Sequence, residues 1–564
     1  VLACQTVIGR DLPVSAAVVR LPRKSQALIL IDGLARDRFL QPLVQHFETV
    51  IPPPTLKNQQ ADDERFYSET GFSVPFALLG ELPVHLAAVN GKVSFWGRHD
   101  TQTVMRFLPV EATSNKRVLG VAIDIGTTTL AAYLYDLQSG ERLASAARTN
   151  PQTAYGADVI SRISRAVASD SDRLELKRLI LAAITSLIET LYSKAAKEQE
   201  ESLLSGELDL APTGSDLLPN DLALLTCAGN TTMMHLLLGI SAENISRSPF
   251  NPVTVKTTIV TAPELELNFF PQALVVLLPS VASYVGADIT AGVIALGLEK
   301  PGQETALLID IGTNGEIVLR TRDHLTACAT AAGPAFEGAN ITNGMSGTSG
   351  AIDHAWITDG DLSYSVISNG DNDLKPSGIC GSGLIDLVAA MLASGVIDET
   401  GRIGADPEIL SPALRERLTE INGQPAFLVA SAVETETRAD IYLTQKDIRE
   451  LQNAKAALAA GIQLLLRREG TAAADVKLIY LAGGFGQYLN VLNAKAIGLL
   501  PAELTGRVIA AGNTSAMGAI AALLDISRLE AATVAAAEIN YLELSSDPEF
   551  SDLFIEALMF PVKD

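Results

Sequence analysis

Two short stretches of the sequence share a pattern that could hold a phosphate group and a metal ion. The first reads Val-Ala-Ile-Asp-Ile-Gly-Thr-Thr-Thr over residues 121–129, and the second reads Leu-Leu-Ile-Asp-Ile-Gly-Thr-Asn-Gly over residues 307–315. Each is an apolar run that ends in Asp-x-Gly-Thr and precedes another β-rich run, which predicts a hairpin with a tight turn. The turn glycine lets a ligand approach the backbone, and N–H and hydroxyl groups can then hold phosphate oxygens.

The aspartates at the ends of the two predicted strands could hold the metal, because hydrated Mg²⁺ prefers one or two carboxylates together with water and phosphate oxygens. One copy alone is equally well explained as an ordinary hairpin with a structural aspartate. Since the two copies lie 186 positions apart, we predict facing hairpins from duplicated lobes that hold one nucleotide between them. Asp124 and Asp310 are then the predicted Mg²⁺ ligands and catalytic residues, which also organise the attacking water.

The nucleotide-binding residues predicted in the two hairpins are Gly126, Thr127, Thr128, Thr129, Gly312, Thr313, Asn314 and Gly315. A third group, Gly483, Gly484, Phe485 and Gly486, follows a predicted strand, and its lack of bulky side chains would let adenosine lie against the backbone. Such a Gly-Gly-x-Gly turn alone is more simply a strand–helix connection. Its combination with the two hairpins, Gly512 and Asn513 favours a nucleotide site.

Two further carboxylates, Glu316 and Glu337, are candidates for a catalytic base that positions water. For each of them, anchoring of a loop is the simpler explanation. Cys328 and Cys380 are predicted to be small buried side chains rather than metal ligands. His235 lies in an apolar helical run and is predicted to be a packed histidine.

The composition limits the classes of function. A formal charge of −23 over 564 residues argues against nucleic-acid binding, which needs a basic surface, and is explained first by solubility. No stretch of about 18 consecutive apolar residues predicts a membrane span. The four cysteines form no Cys-x-x-Cys pair, which favours a reducing cytoplasm over a disulfide-bonded secreted protein. The oligomeric state, including a homodimer, is left open.

The predicted elements divide the chain into segments. These are the end of a domain with a linker (1–30), a small α/β domain (31–110), a first lobe (118–298) and a second lobe (303–564) with an insertion at about 331–430. The small domain contains a helix candidate at residues 35–47. The order of hairpin, long helix, strand with Gly loop, and helix of small residues occurs in both lobes, which indicates duplication at the scale of a domain.

The assembled pattern resembles the superfamily of actin, sugar kinases, acetate kinase and the seventy-kilodalton chaperones. Its phosphate motifs match residues 121–129 and 307–315, its adenosine motif matches residues 481–486, and its connecting helices match residues 282–296 and 510–522. The resemblance covers roughly residues 118–524. It implies an α/β fold: a duplicated RNase H-like, two-lobed ATPase that would here follow a small N-terminal α/β middle domain.

Three stretches are similar to one branch, the ATP-dependent reductive activators of corrinoid proteins. They are Asp310-Ile-Gly-Thr-Asn-Gly-Glu316, Gly333-Pro-Ala-Phe-Glu-Gly-Ala339 and Gly378-Ile-Cys-Gly-Ser-Gly-Leu-Ile-Asp386. The resemblance implies ATP and Mg²⁺ as cofactors and the corrinoid protein of a methyltransferase system as partner. One electron from a [2Fe–2S] cluster would convert Co(II) to Co(I).

Members of this branch carry that cluster in an N-terminal ferredoxin-like domain. Leu2-Ala-Cys4-Gln-Thr6 resembles the end of such a domain, with Cys4 as the last cluster ligand. Three further cysteines would have to precede Val1, so we expect this chain to be a shortened form that cannot hold the cluster. From context alone a chance thiol at a frayed terminus explains Cys4 equally well, and the family resemblance favours the cluster ligand.

Three other functions use the same ATP-binding architecture. A small-molecule kinase would need a substrate pocket with a catalytic carboxylate between the lobes. An activator ATPase of 2-hydroxyacyl-CoA dehydratases would hold a [4Fe–4S] cluster at a dimer interface, for which Cys328 and Cys380 are conceivable ligands. A chaperone-like ATPase would need a peptide-binding domain, for which the segment after Ser527 is too short.

Overall fold

The structure is a computed structural model that describes residues 40–87, 91–110, 117–156, 158–205, 218–312, 314–368, 374–483 and 489–562, with the side chains of 199–205 left out. The predictions for Cys4, Thr313, Gly484, Phe485 and Gly486 therefore concern residues outside the described ranges. The described chain forms a small N-terminal domain and two lobes, each lobe built around a six-stranded sheet.

The small domain is a three-stranded antiparallel sheet covered by two helices. Its elements are β1 (Val44–Val50), α1 (Asp62–Thr70), α2 (Leu82–Ala87), β2 (Lys92–Arg98) and β3 (Thr103–Leu108), with strand order β1-β2-β3. Its core contains Phe66, Phe95 and Phe107, which pack edge to face. The helix predicted at residues 35–47 is wrong over 44–47, because Val44 to Phe47 pair with Arg98 to Phe95 in the sheet. Sheet pairing across the domain decides the conformation there, whatever the local preference.

The first lobe has the strand order β6-β5-β4-β7-β9-β8. Its strands are β4 (Leu119–Ile125), β5 (Thr129–Asp136), β6 (Arg142–Thr149), β7 (Leu222–Gly229), β8 (Thr258–Thr261) and β9 (Leu274–Leu277). Its helices are α3 (Val159–Ala168), α4 (Asp170–Ser205), α5 (Thr231–Leu238) and α6 (Ala287–Leu296). β4 and β5 form the predicted hairpin, and β4, β7 and β9 are parallel.

The second lobe has the strand order β20-β19-β10-β11-β12-β21. Its main sheet consists of β10 (Ala306–Ile311), β11 (Gly315–Arg320), β12 (Leu325–Thr330), β19 (Leu478–Ala482), β20 (Arg507–Gly512) and β21 (Asn540–Tyr541). Two small sheets separate β12 from β19 and are built from β13 (Ala351–Thr358), β14 (Asp361–Val366), β15 (Gly378–Ile379), β16 (Leu418–Ile421), β17 (Gln424–Ala430) and β18 (Ile441–Thr444). The helices are α7 (Gly381–Ser394), α8 (Pro412–Glu416), α9 (Gln445–Arg468), α10 (Val491–Ala496), α11 (Thr514–Leu524), α12 (Ile526–Glu538) and α13 (Pro548–Ala557).

The two lobes repeat the same topology, which confirms the predicted duplication. In both, a hairpin strand lies beside a parallel strand that follows the long helix. Asp124 is in register with Ala228 of β7, and Asp310 is in register with Ala482 of β19. Gly229, which follows Ala228, is therefore the first-lobe counterpart of Gly483, which follows Ala482, as predicted.

Helices α6 and α11 connect the lobes by crossing at close range. A Cβ atom on Gly518 of α11 would lie 2.1 Å from the carbonyl oxygen of Ala291 in α6, so only a glycine permits this crossing. Helix α6 packs Ile289 into a cluster of second-lobe residues. Helix α11 packs into the first-lobe core, where Thr226 of β7 donates a hydrogen bond to its backbone. Each lobe is thus packed against a helix from the other half of the chain. The boundaries 118–298 and 303–564 of the two lobes remain our proposal.

Helix α4 is the one element in the described ranges that is long and apolar enough to cross a membrane, over Asp170–Glu198, by length and composition alone. Within this range, 44% of the apolar window of 18 residues is buried within the protein. Its inward side chains, including Leu176, Ile180 and Ile184, belong to the first-lobe core. We therefore assign α4 as a core helix, which explains its apolar stripe at helical spacing.

Candidate nucleotide and metal site

Both predicted hairpins line one cavity of about 380 Å³ between the lobes. The predicted site residues that line it are Asp124, Gly126, Thr127, Thr128, Thr129, Asp310, Gly312, Asn314, Glu316, Glu337, Gly483 and Asn513. The structure therefore brings together the two hairpins, the start of the Gly loop and one residue of the 512–513 pair. This is the shared cleft that the repeated motif predicts.

Two predicted binding residues lie elsewhere. Gly315 begins β11, where an added Cβ would meet Leu458 at 2.3 Å and Thr330 at 2.7 Å, so this glycine is required by packing. Gly512 ends β20 with a φ of 70° and is not among the residues that line the cavity. The sequence motif included both because of their neighbours in the chain, not because of their own contacts.

The first hairpin is held in place by the loops around it. The Gly126 N–H donates to the Thr129 carbonyl over 3.0 Å, and an added Cβ on Gly126 would lie 2.6 Å from the same oxygen. The Asn150 amide donates to the Gly126 carbonyl over 2.9 Å. The Asn230 amide donates to the Thr127 hydroxyl over 3.0 Å. These bonds fix the turn before any ligand enters, which lowers the ordering cost of binding.

A buried guanidinium lies beneath this hairpin. Arg162 of α3 is 0% exposed and donates to the Thr127 carbonyl, to the Gly156 carbonyl over 2.8 Å and to the Met233 sulfur over 3.3 Å. Burial lowers the pKa of Arg162 to about 10, which leaves it charged near neutral pH. A cation is thus fixed close to the predicted phosphate site, although its bonds go to uncharged acceptors.

The second hairpin is approached closely by Gly483, the residue directly after β19. Gly483 has a φ of 84°, and an added Cβ there would lie 2.9 Å from both Asp310 Oδ1 and the Ile311 carbonyl oxygen. A residue with a side chain could neither adopt this backbone conformation easily nor fit against the carboxylate. Gly483 is therefore required beside Asp310.

Asp124 is linked to the start of the connecting helix α11. Asn513 Nδ2 donates to Asp124 Oδ2 over 2.7 Å, and Ser515 Oγ donates to Asp124 Oδ1 over 2.7 Å. Asn513 was predicted as a nucleotide-binding residue, and its described contact is with this carboxylate. Ser515 was not predicted. Both oxygens of Asp124 are therefore oriented by the segment that crosses between the lobes.

The cavity gathers carboxylates whose charges repel one another. Burial, with repulsion from Asp124 and Glu337, raises the pKa of Asp310 to about 7. Burial and repulsion from Asp310 raise the pKa of Asp288 to about 7. The pKa of Glu316, which pairs with Asp310 across the hairpin, is raised well above its usual value, mainly by burial. The charged forms are disfavoured as long as no cation neutralises them.

This arrangement fits Mg²⁺. A divalent cation would stabilise the ionised carboxylates, and hydrated Mg²⁺ needs only one or two of them. Over the described ranges, no group of three or more His, Cys, Asp or Glu residues is arranged to hold a metal ion by itself. Water and phosphate oxygens would therefore have to supply most of the ligands, as expected for a nucleotide-bound magnesium ion.

We expect the free energy of unfolding of the nucleotide-free protein to fall as the pH rises from about 4 to about 7, because Asp288 and Asp310 are costly to ionise in the folded state. Because the folded-state pKa of Asp288 and Asp310 is raised, the folded state holds protons that the unfolded state has released. The stability that these bound protons contribute is fully present below the unfolded-state pKa and is lost as the pH rises through the folded-state pKa. The loss is on the order of 4 kcal/mol for one such group.

Urea denaturation at pH 5 and pH 8 measures this effect. Carboxylates with a lowered pKa, such as Asp361, instead make the protein more stable as the pH rises. The informative quantity is therefore the difference between the unaltered protein and Asp288→Asn. The variant should lose less stability between the two pH values, and equal losses would contradict the assignment.

The other predicted side chains lie as follows. Cys328 in β12 and Cys380 at the start of α7 are buried free thiols, as predicted, and Cys380 also lines the cavity. His235 is buried, with Nδ1 bonded to the Thr231 carbonyl and Nε2 accepting from the Val253 N–H, which confirms a packed histidine. Glu337 accepts a hydrogen bond from Thr128 of the opposite lobe.

Sequence reasoning missed Asp288, Arg162 and Ser515. The tripeptide Gly-Ala-Asp occurs at residues 156–158 and again at 286–288, each time at the start of a helix, and this repeat was a usable signal for Asp288. Arg162 and Ser515 had no comparable signal, since their roles arise from contacts with residues distant in the chain.

Two protein-family descriptions match this chain. The C-terminal domain of RACo, the ASKHA domain, matches residues 304–564. The RACo middle region matches residues 119–204 and 212–301, which is the first lobe.

Similar individual proteins agree with this family. The chain is 32% identical over 458 residues to the corrinoid activation enzyme RamQ of Eubacterium limosum, covering 81% of this chain and 72% of that protein. It is 24% identical over 465 residues to the [Co(II) methylated amine-specific corrinoid protein] reductase of Methanosarcina barkeri, covering 78% and 77%. A solved structure of a reductive activator for a corrinoid, iron–sulfur protein superimposes with a TM-score of 0.80 at 35% identity, covering 96% of this chain and 82% of the other. The duplicated ATPase fold, the shared cleft and these similarities together establish that the chain belongs to the family of reductive activators of corrinoid proteins.

Proposed function

We propose that this chain couples ATP binding and hydrolysis to the reductive activation of a corrinoid protein, in which one electron converts Co(II) to Co(I). The observation that carries the proposal is the single cavity lined by Asp124 and Asp310 from opposite lobes. Support for the corrinoid partner comes from the relatives, which are named as a corrinoid activation enzyme, a corrinoid protein reductase and a reductive activator.

In this proposal the cavity holds MgATP. Asp124 and Asp310 hold the metal and orient the attacking water, the two hairpins bind the phosphates, and the loop from Gly483 contacts adenosine. When bound, Mg²⁺ would neutralise phosphate charge and relieve the repulsion among the buried carboxylates. Arg162 adds fixed positive charge beneath the first hairpin. Glu316 and Glu337 are the proposed candidates for the residue that positions water.

ATP is needed because reduction to Co(I) is uphill for an ordinary donor. A partner surface that prefers one redox state shifts a one-electron midpoint by about 59 mV per tenfold preference. Moving a two-state conformational equilibrium decisively takes a ligand that binds one state about 10⁴-fold, or 5.5 kcal/mol, more tightly than the other. A preference of that size between redox states would shift the midpoint potential by roughly 240 mV. Nucleotide binding would draw the lobes together about the α6–α11 pair and thereby change how the surface binds the corrinoid protein.

The electron would come from a [2Fe–2S] cluster of the kind that the family resemblance implies, with Cys4 as its last ligand. The described residues offer no place for this cluster, because Cys227, Cys328 and Cys380 are each buried and form no metal-binding group there. An activator of 2-hydroxyacyl-CoA dehydratases would need Cys328 and Cys380 to bind a [4Fe–4S] cluster at a dimer interface. The burial of both thiols disfavours such a cluster.

We propose the corrinoid protein of a methyltransferase system as the partner, because Co(I) is the nucleophile that methyl transfer requires. The free thiols at Cys227, Cys328 and Cys380 are compatible with a reducing cytoplasm as the compartment.

The deciding experiment follows the Co(II) electron paramagnetic resonance signal of a methyltransferase corrinoid protein. The chain, the corrinoid protein and titanium(III) citrate as electron source are mixed with MgATP or with magnesium alone. The signal should decline only with MgATP, with ADP and phosphate as products. A decline that does not depend on MgATP would overturn the proposal, and a phosphorylated small molecule would instead identify a kinase.

A further inference from the structure

The carboxylate of Glu337 lies between the two hairpins. The Thr128 hydroxyl, in the first lobe, donates to Glu337 Oε2 over 2.9 Å, although the two residues are 209 positions apart in the chain. The other oxygen, Oε1, lies 3.7 Å from the position that a Cβ on Gly312 would occupy. One side chain of the second lobe therefore contacts the first hairpin and lies against the turn of the second.

Glu337 is held firmly to its own lobe. It ends a 3₁₀ turn, Pro334–Glu337, flanked by Gly333 with a φ of 75° and Gly338 with a φ of 80°. An added Cβ on Gly338 would lie 2.5 Å from the Met345 backbone, so the turn is packed against the following loop. The neighbouring Phe336 is buried in the second-lobe core. The bond from Glu337 to Thr128 is thus a bond between lobes.

The chemistry of a threonine hydroxyl makes this bond sensitive to a nucleotide. The hydroxyl carries one proton, while an ionised carboxylate and a phosphate oxygen can only accept. Thr128 therefore cannot donate to Glu337 and to a phosphate at the same time. A phosphate at the first hairpin must either bind without a hydrogen bond from the Thr128 hydroxyl or replace Glu337 as the acceptor of that bond.

We propose that Glu337 and the nucleotide phosphates compete for the Thr128 hydroxyl, so that exchange of this bond transmits nucleotide binding from the first lobe to the second. The proposal rests on the nucleotide site described under Proposed function. Glu337 is on this account a positioning residue. In the nucleotide-free cleft it holds the two lobes together at the hairpins, and after the exchange it remains beside Gly312 and Asp310, where it is available to the reaction.

The test measures the affinity for the magnesium complex of the non-hydrolysable ATP analogue AMPPNP by titration calorimetry. Glu337→Ala should tighten binding about tenfold, because it removes both a negative charge and the competing acceptor. In a Thr128→Val background, the same substitution should tighten binding only about two- to threefold, because only the charge effect remains. The difference between the two backgrounds is the energetic coupling that the competition requires.

Three further variants keep the result interpretable. Glu337→Gln removes the charge but keeps an acceptor, so it should give only the smaller effect. Thr128→Ser retains the hydroxyl, so Glu337→Ala in the Thr128→Ser background should again tighten binding about tenfold. Thr185→Val on α4, whose hydroxyl bonds its own helix, is the matched control and should leave the affinity unchanged.

Equal effects of Glu337→Ala in both backgrounds would overturn the competition and leave a purely electrostatic role. If Glu337→Ala fails to fold, Glu337→Gln combined with the two Thr128 variants replaces it, and equal affinities for Thr128→Ser and Thr128→Val in that background would overturn the proposal. Failure of the unaltered protein to bind AMPPNP would instead overturn the proposed nucleotide site, and the two failures are therefore distinguishable.

Discussion

Replacing Asp310 with asparagine is expected to abolish ATP-dependent reduction of the corrinoid protein while leaving the protein folded. An asparagine keeps the size of the side chain but removes the charge that would hold Mg²⁺ and orient the attacking water. We expect ATP hydrolysis to fall roughly 100- to 1000-fold, equivalent to about 3–4 kcal/mol of lost transition-state stabilisation. Phosphate release and the Co(II) resonance signal measure the two parts of the effect.

The same substitution should make the nucleotide-free protein more stable. Burial and the neighbouring carboxylates raise the pKa of Asp310 to about 7, so that ionisation at pH 8 weakens the fold. A neutral side chain relieves this repulsion, and we expect a gain on the order of 4 kcal/mol in the free energy of unfolding at pH 8. Lost activity with gained stability is a combination that misfolding cannot produce.

The control is Asp323→Asn, which makes the same chemical change on an exposed turn of the second lobe. It should alter neither hydrolysis nor stability by a measurable amount. ATP hydrolysis by Asp310→Asn at the unaltered rate would remove Asp310 from the mechanism, and with it the shared metal site.

The parts of the site that the sequence predicts are those formed by residues close together in the chain that follow a short, recognisable pattern. Asp124 and Asp310 each end a strand inside a recognisable Asp-x-Gly-Thr turn, so both position and orientation follow from the hairpin. The duplication then predicts that the two turns face each other. The register of Ala228 beside Asp124 and of Ala482 beside Asp310 agrees with the correspondence of Gly229 and Gly483 that the duplication predicts.

The parts that the sequence does not predict depend on contacts between distant segments. Ser515 reaches Asp124 only because α11 crosses into the first lobe. Glu337 reaches Thr128 only because the 3₁₀ turn of the second lobe spans the cleft. The local sequence predicts a helix over residues 35–47, whereas Val44–Val50 forms a strand whose partner, Lys92–Arg98, lies more than 40 positions later. No local pattern carries this information.

Arg162→Met is expected to weaken both the fold and nucleotide binding. The substitution leaves the carbonyl oxygens of Thr127 and Gly156 without the donors that now satisfy them. Loss of these buried bonds should lower the free energy of unfolding by about 3 kcal/mol. It also removes a cation from beneath the first hairpin, next to the cavity, so AMPPNP affinity should fall roughly 10- to 100-fold. Urea denaturation and calorimetric titration measure the two effects.

Two variants separate charge from geometry at this position. Arg162→Lys keeps the charge but cannot reproduce the directed bonds of a guanidinium. It should recover part of the affinity and little of the stability. Arg165→Met, on the same helix, removes a guanidinium whose side chain is 46% exposed and paired with Asp172, and it should change stability by less than about 1 kcal/mol. If Arg162→Met bound AMPPNP as tightly as the unaltered protein, the guanidinium would serve only to hold the hairpin, and the positive charge needed at the phosphates would have to come from Mg²⁺ and the turn N–H groups alone.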